Sequence, residues 1–217
     1  MYCPAHFAPP SLAALHDLIR MHPFGALCRL GPNGLDADHL PFEFLPDVGE
    51  HGVLRAHVAR ANPLWQTAQP EQPVLVVFQA GDAYVSPSLY PSKTVTHRQV
   101  PTWNYQVVHA HGKLQVRDDA RFVRALLGRL TRTHEAGRET PWHMGQSPRA
   151  FIDALVAAVV GLEITVTRLE GKLKLSQNRE ADDRLAAAET LRASGASCIG
   201  QAMLDGMAEP AAGDPGQ

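Results

Sequence analysis

Cysteine is scarce in this sequence of 217 residues, which has three, Cys3, Cys28 and Cys198, and no Cys-x-x-Cys pair. An odd number of widely spaced cysteines excludes a disulfide scaffold and a zinc ribbon, and it favours a reducing, cytoplasmic compartment. Long hydrophobic runs are also lacking, since the run from Ala154 to Val160 is far shorter than the roughly 20 residues of a membrane span. Met1 to Pro10 shows no signal-peptide pattern. We therefore expect a cytoplasmic protein without a membrane partner.

Charge of one sign is not in excess, because 20 Lys and Arg residues face 22 Asp and Glu residues, for a formal net charge of −2. This balance excludes a protein whose main activity is nonspecific electrostatic binding of nucleic acid. The sequence also lacks a dinucleotide-binding Gly-x-Gly-x-x-Gly motif, a P-loop, a Gly-x-Ser-x-Gly motif and a His-Glu-x-x-His motif. Histidine is plentiful, but His109 and His111 share one strand face without a third ligand, so exposed sheet positions explain them better than a metal.

Hydrophobic spacing predicts a few helices among many short strands. Apolar residues recur at helical spacing in Ser11 to Met21 and Asp119 to Thr133, and further helices are predicted over 147–160 and 181–193. Short β-type segments separated by Gly and Pro turns fill most of the remainder up to about residue 175, without regular β-α-β alternation. The predicted fold is therefore α+β and mainly antiparallel β, a barrel with peripheral helices.

Domain organisation follows from the same pattern. The main domain is expected over 1–178, followed by a C-terminal helical extension over 179–207 and a disordered tail over 208–217, which is rich in Ala, Gly and Pro. Within the main domain, one continuous strand is expected over 35–45, an ordered loop over 87–100 and a strand over 162–169 that continues into 172–175.

Five segments combine aromatic, amide and cationic side chains more densely than ordinary loops do. Aromatic faces and prolines pack against flat rings, amides and hydroxyls hydrogen-bond heteroatoms, and Arg and Lys bind phosphate. The mixture therefore favours a flat, partly apolar, anionic ligand, although any one of these residues can equally be an ordinary core or turn residue. The segments are Asp38–Phe42, His57–Trp65, Tyr84–Lys93, Pro101–Tyr105 and Glu170–Arg179.

Read in order from residue 1 to about residue 205, these segments resemble the PaiB family of FMN-binding negative transcriptional regulators. The runs that carry the resemblance are His39-Leu-Pro-Phe42, His57-Val-Ala-Arg-Ala-Asn-Pro63, Ser86-Pro-Ser-Leu-Tyr-Pro-Ser-Lys93, Pro101-Thr-Trp-Asn-Tyr105 and Leu169-Glu-Gly-Lys-Leu-Lys-Leu-Ser-Gln-Asn-Arg179. The resemblance implies a split β-barrel related to pyridoxamine phosphate oxidase, a homodimer with FMN in a cleft between its subunits, and a regulator or flavin-dependent sensor. The alternative is a small FMN-dependent oxidoreductase that uses NAD(P)H.

The resemblance also implies flavin-contacting residues within the second predicted strand and just after the third. Arg60 and Asn62 lie at the turn that holds the FMN phosphate in split-barrel flavoproteins, where a guanidinium binds phosphate bidentately. The alternative is a surface arginine and an Asn turn before a proline. His57 is expected to line the same pocket, although a lone histidine is more often structural. The isoalloxazine ring is expected beside a group formed by His39, Leu40 and Pro41.

The remaining candidates lie in the later segments. Because neighbouring strand residues point to opposite faces, Asn104 is expected on the ligand and Trp103 in the core or a dimer interface. A loop is expected to close over the flavin with Ser86, Ser88, Tyr90 and Lys93. By position in the family, Lys174 and Gln177 are candidates for flavin contact, and the alternative is an edge strand protected from aggregation by its lysines.

One local cationic stripe is a candidate surface for DNA phosphates. It is carried by the helix that begins near residue 119 and by the strand before it, but no helix-turn-helix pair accompanies it, and a solvated helix face is the simpler interpretation. Its residues are Lys113, Arg117, Arg121, Arg124 and Arg132.

Overall fold

A computed structural model describes residues 1–208 of the chain. Its seven α-helices in that part of the chain are α1 (Leu12–Met21), α2 (Leu64–Thr67), α3 (Lys93–Thr96), α4 (Ala120–Glu135), α5 (Arg149–Ala157), α6 (Ala181–Ala193) and α7 (Ser197–Ala208). Its strands are β1 (Phe24–Gly31), β2 (Gly34–Pro41), β3 (Glu43–Leu45), β4 (Val53–Ala59), β5 (Gln72–Val85), β6 (Thr102–Arg117) and β7 (Val159–Lys174). Short 3₁₀ turns lie at Ala5–Phe7, Pro87–Leu89 and Met144–Gln146.

All the strands join one seven-stranded sheet in the order β2-β1-β5-β6-β7-β4-β3. The pairings of β1 with β2 and β5, and of β4 with β3 and β7, are antiparallel. The β1–β2 hairpin turns at Gly34, whose φ of 107° favours glycine. The predicted α+β, mainly antiparallel fold with peripheral helices is therefore confirmed.

Helix α4 illustrates how the local sequence determines an element. The Asp119 side chain accepts hydrogen bonds from the backbone N–H groups of Arg121 and Phe122, which would otherwise lack partners at the helix start. Val123 and Leu126 then recur at helical spacing and are buried. The helix was predicted from this spacing, and it ends only two residues beyond the predicted Thr133.

Four predicted elements differ from the structure. The helix expected over 147–160 is the shorter α5, and residues 159 and 160 already belong to β7. The strand expected over 35–45 is interrupted at Phe42, whose N–H donates to Pro23 O at 2.8 Å and whose ring packs edge-on against Phe78. The loop over 87–100 contains the single helical turn α3. The extension contains a second helix, α7, where a Cβ on Gly200 would lie 2.3 Å from the backbone N of Arg192 in α6. Glycine therefore permits a close α6–α7 approach that a hydrophobic pattern does not reveal.

The chain divides into two compact units. The first unit comprises Met1–Leu18, Gln79–Val108 and the chain from Glu170 onward, and the second comprises Ile19–Phe78 and His109–Leu169. The domain boundary expected at residue 178 stays a prediction. The tail expected over 208–217 lies outside the described residues apart from Ala208, where α7 ends.

Each unit has its own apolar cluster. In the first unit, helices α6 and α7 pack on the β5 end with Tyr90 at the centre of the cluster. In the second unit, α4 and α5 bury Val123, Ile152 and Val156 together. Among the described residues, no helix combines the length and hydrophobicity that crossing a membrane requires.

Candidate functional site

In the second unit, the predicted ring-contacting group lies at the end of the edge strand β2. His39 is exposed, and its ring stacks on Phe24 with 6.4 Å between centroids. Pro41 is the last residue of the strand and is half-buried. Proline has no backbone N–H, and an edge strand tolerates it because one side of that strand forms no hydrogen bonds within the sheet. Leu40 is buried and faces the core, so only its backbone is placed to contact a ligand, and the predicted position of this group beside a flavin stays a prediction.

The Arg60 guanidinium is already bonded within the second unit. It donates two hydrogen bonds to the Asp118 carboxylate, at 3.0 and 2.6 Å, and its Nε donates to Ala157 O at 2.7 Å. It also lies over the Trp65 ring. The hydrogen bond to Asp118 raises the pKa of Arg60 and lowers that of the carboxyl. A phosphate would therefore have to displace Asp118, and the contacts present tie the end of β4 to the start of β7.

Asn62 and His57 differ in how many free polar atoms they keep. The Asn62 amide is used twice, since Nδ2 donates to Asp38 Oδ1 at 2.6 Å and Oδ1 accepts from Leu64 N at 2.8 Å, at the start of α2. His57 is half-buried on β4, and its buried Nδ1 has no hydrogen-bond partner among the described residues. Burial lowers the pKa of His57. A neutral imidazole with an unused nitrogen is thus available on this strand.

In the first unit, four predicted residues share the loop after β5, and three of them lie at least partly at the surface. Ser86 accepts a hydrogen bond from the backbone N of Ser88 and so begins the 3₁₀ turn. The Ser88 hydroxyl accepts a hydrogen bond from Lys93 Nζ at 3.1 Å, and both side chains are exposed. The loop therefore presents one ammonium and one hydroxyl together at the surface.

Tyr90 and Asn104 are buried in the interior of the first unit, and their predicted contacts with a flavin stay predictions. Tyr90 is 1% exposed, and its hydroxyl hydrogen-bonds the Ser176 hydroxyl at 3.2 Å. Asn104 is fully buried and donates to the same hydroxyl at 2.9 Å and to Met203 Sδ. Trp103 points the other way, as strand alternation predicts, and is 53% exposed. Alternation thus holds, but the amide faces the interior and the indole faces outward.

Gln177 shapes the turn that ends β7. Its Oε1 accepts from Leu175 N at 2.8 Å and its Nε2 donates to Leu173 O at 2.5 Å. The enclosed Ser176 has a φ of 63°, a left-handed conformation that a serine adopts only when its surroundings hold it there. Gln177 therefore positions the strand end that carries Lys174, and each of its amide atoms already makes one backbone hydrogen bond.

Three cations cluster around this strand end, and we call Lys172, Lys174 and Arg179 the cation cluster. Lys174 Nζ donates to Thr102 Oγ1 and to Trp103 O. Desolvation lowers the pKa of Lys174, and the nearby charges of Lys172 and Arg179 lower it further. Among the described residues, none of the three forms an ion pair with a carboxylate.

Aromatic rings take the place of carboxylates around the cluster. Lys172 lies 5.5–5.9 Å from the ring centres of Tyr2, Phe7 and Tyr105, and Arg179 lies 5.4 Å from that of Tyr90. A ring face attracts a cation without cancelling its charge. The cluster therefore keeps positive charge available for an anion. Only Lys174 was predicted here, although the Glu170–Arg179 motif contains all three cations.

The predicted DNA-contacting stripe is largely neutralised within the second unit. Glu71 lies 3.8 Å from Lys113, Glu163 lies 2.5 Å from an Arg117 nitrogen, and Asp153 pairs with Arg124. Arg121 and Arg132 are exposed on α4. His109 and His111 lie on β6 with 6.4 Å between ring centroids.

Comparisons with known proteins show similarity along most of the chain. The family described as "Putative FMN-binding domain" matches residues 1–168. "Protease synthase and sporulation protein PAI 2" of Bacillus subtilis is 30% identical over 192 residues, covering 88% of this chain and 89% of that protein. "Uncharacterized protein AN0679" of Emericella nidulans is 31% identical over 237 residues, covering 92% and 94%.

A solved structure agrees in fold. The "FAD and Heme binding protein from Mycobacterium smegmatis" superposes with a TM-score of 0.57 at 21% identity, covering 82% of this chain and 78% of that one. The residues present also fit FMN, because a phosphomonoester needs several cationic donors without carboxylate competitors, and the cation cluster supplies them. The chain belongs to the PaiB family of FMN-binding split-barrel proteins, and its cofactor is FMN.

Proposed function

We propose that the FMN phosphate binds at the cation cluster rather than at Arg60. The observation that carries this proposal is the contrast between Lys174, whose pKa is lowered by desolvation and by two neighbouring cations, and Arg60, which is already paired with Asp118. A phosphate dianion at Lys174 would relieve the mutual repulsion of the cluster, whereas at Arg60 it would replace one anion by another. When bound, the isoalloxazine supplies reversible electron uptake.

We further propose that two copies of the chain associate through the exposed aromatic face of β5 and β6 in the first unit. Tyr84 and Trp103 stack edge-to-face there with 5.8 Å between ring centres, and each is about half-exposed. Large aromatic side chains on an outer sheet face are typical of interface centres. The dimer that the family resemblance implies would cover this pair.

The physiological role that we propose is a flavin-dependent sensor in negative transcriptional regulation. The resemblance to the PaiB family supports this role, and the α4 stripe adds little to it, because Arg117 and Arg124 are paired with carboxylates. Direct DNA contact through α4 would use mainly Arg121 and Arg132, so its affinity would vary only weakly with salt concentration. The alternative function is an FMN-dependent oxidoreductase that uses NAD(P)H. The same purified protein can be assayed for that activity.

The test is flavin retention by the purified full chain. We expect visible flavin absorbance to persist after FMN addition and desalting, and light scattering to give twice the monomer mass. Trp103→Ser is expected to release the monomer, whereas Trp142→Ser, at an exposed position of the second unit, is not. Loss of all flavin on desalting, together with no quenching of FMN fluorescence, contradicts the proposal. Catalytic consumption of NAD(P)H would favour the oxidoreductase, and DNA binding that changes on flavin reduction would favour the sensor.

A further inference from the structure

Asp183, in the first turn of α6, is a buried carboxylate whose hydrogen bonds all go to one loop. It is 2% exposed and accepts hydrogen bonds from Ser92 N at 2.9 Å, Ser92 Oγ at 2.5 Å and Gln99 Nε2 at 3.0 Å. Among the described residues, no Lys or Arg forms an ion pair with it. A buried charge is costly unless hydrogen bonds replace its hydration, so this carboxylate and the loop depend on each other.

The contacted loop, which we call the 86–99 loop, carries the exposed flavin candidates of the first unit. Ser92 directly precedes α3, and its carbonyl accepts from Thr96 N at 2.9 Å. Gln99, after α3, also donates to Ser92 Oγ at 2.7 Å. Asp183 therefore joins both ends of the α3 turn. Lys93, which follows Ser92 in the chain, donates a hydrogen bond to Ser88 from that turn.

A second contact holds the same loop against the C-terminal helices. Tyr90 is buried in an apolar cluster with Leu191 of α6 and with Ile199 and Met203 of α7. Its hydroxyl also bonds Ser176 at the end of β7. Tyr90 is thus fixed by an apolar contact, and Ser92, two residues later, is fixed by hydrogen bonds to a carboxylate. Together these contacts leave the segment little freedom to move.

We propose that the C-terminal helices hold the 86–99 loop in place, with Asp183 as the positioning residue that sets Ser88 and Lys93 for flavin binding. This inference rests on the proposed function, because it takes the loop to contact the flavin. The family match ends at residue 168, so both helices lie beyond it. Replacing the carboxylate by an amide would place a donor against the Ser92 and Gln99 donors and would release the loop.

Limited trypsin digestion of the flavin-free full chain tests this directly, because Lys93 and Arg98 are cleavage sites inside the loop. In Asp183→Asn we expect cleavage after these two residues to be roughly tenfold faster, as loss of a charged hydrogen bond allows. Cleavage after Arg138, an exposed site of the second unit, should stay constant as the internal reference. Asp182→Asn, the exposed neighbour on the same helix, is the matched control. Should Asp183→Asn fail to fold, Ser92→Ala weakens the same contact from the loop side.

A second measurement links the loop to the flavin. The FMN dissociation constant of Asp183→Asn should rise by about tenfold, and that of Asp182→Asn should not change. Unchanged cleavage at Lys93 and Arg98, or equal acceleration in both variants, overturns the inference. A loosened loop with unchanged FMN affinity also overturns it. If the wild-type protein retains no FMN, the proposed function fails, whereas the digestion still decides whether Asp183 holds the loop.

Discussion

Replacing Lys174 by Met removes the central positive charge of the cation cluster while preserving most of the side-chain volume. If the FMN phosphate binds there, the variant loses a charged hydrogen bond, which contributes about 1.5–3 kcal/mol. Because Lys174 is only half-buried, solvent screening places the loss near the lower limit. We therefore expect FMN affinity to fall by about tenfold to thirtyfold.

Riboflavin supplies the control that isolates the phosphate, because it has the same ring without the charge. Fluorescence-quenching titrations should show that Lys174→Met weakens FMN binding and leaves riboflavin binding within about twofold. Lys113→Met, which removes an exposed lysine paired with Glu71 in the second unit, should change neither affinity. This pair of ligands separates loss of a phosphate contact from general damage to the fold.

The pH dependence gives an independent check on the same residue. Desolvation and, to a smaller extent, the neighbouring cations lower the pKa of Lys174 from 10.5, so the free protein loses this charge at a lower pH than an ordinary lysine does. FMN affinity should therefore decrease as the pH rises through that lowered pKa, and the decrease should be absent in Lys174→Met. Equal weakening of FMN and riboflavin, or no weakening of either, would refute the assignment of the phosphate to this cluster.

Three further predictions concern the rest of the chain. Arg60→Ala should lower the unfolding temperature without changing the ratio of FMN to riboflavin affinity, because Asp118 already binds the guanidinium. A reduced ratio would indicate that Arg60, and not the cation cluster, binds the phosphate. Burial lowers the folded pKa of His57 below 6.5, so the unfolded chain binds protons more tightly and the free energy of unfolding should decrease between about pH 7 and 5. His57→Gln should flatten that urea-unfolding profile, and identical profiles would contradict the reasoning. Gly171→Ala, whose Cβ would lie 2.2 Å from a leucine side chain of α1, should lose about 1–3 kcal/mol in urea unfolding, whereas Gly137→Ala, with open space around it, should match the wild type.

Local sequence signals predicted the elements that are controlled locally. The α6 helix was predicted with the bounds that the structure shows, because Ala, Leu, Glu and Arg favour helix along its whole length. Helix α7 was missed because its stability depends on close packing at Gly200, a contact with another helix. The interruption at Phe42 was missed for a similar reason, since a distant carbonyl at Pro23 and a distant ring determine it.

The candidate site was predictable as a set of segments but not residue by residue. Alternation placed Trp103 and Asn104 on opposite faces, yet it could not identify the interior face, which depends on the buried Ser176 hydroxyl some 70 residues later. In the same way, the motif around Arg60 gave no indication of Asp118, which lies in a different segment of the chain. Polar partners from distant segments determine which side chains of a motif remain available to a ligand. A single sequence does not show which distant residues those partners are.

The distribution of ion pairs provides the physical reason for locating the anion site in the first unit. The net charge of −2 gives no indication of where such a site lies. In the second unit, Glu163 pairs with both Arg55 and Arg117, so those guanidinium groups stabilise the sheet and a ligand would have to compete with a fixed carboxylate. In the first unit, Lys172 and Arg179 contact aromatic faces, which orient a cation but leave its field intact. An incoming phosphate therefore gains Coulomb energy at the cation cluster without breaking an ion pair, and this difference, rather than the number of arginines nearby, is what makes it the stronger candidate.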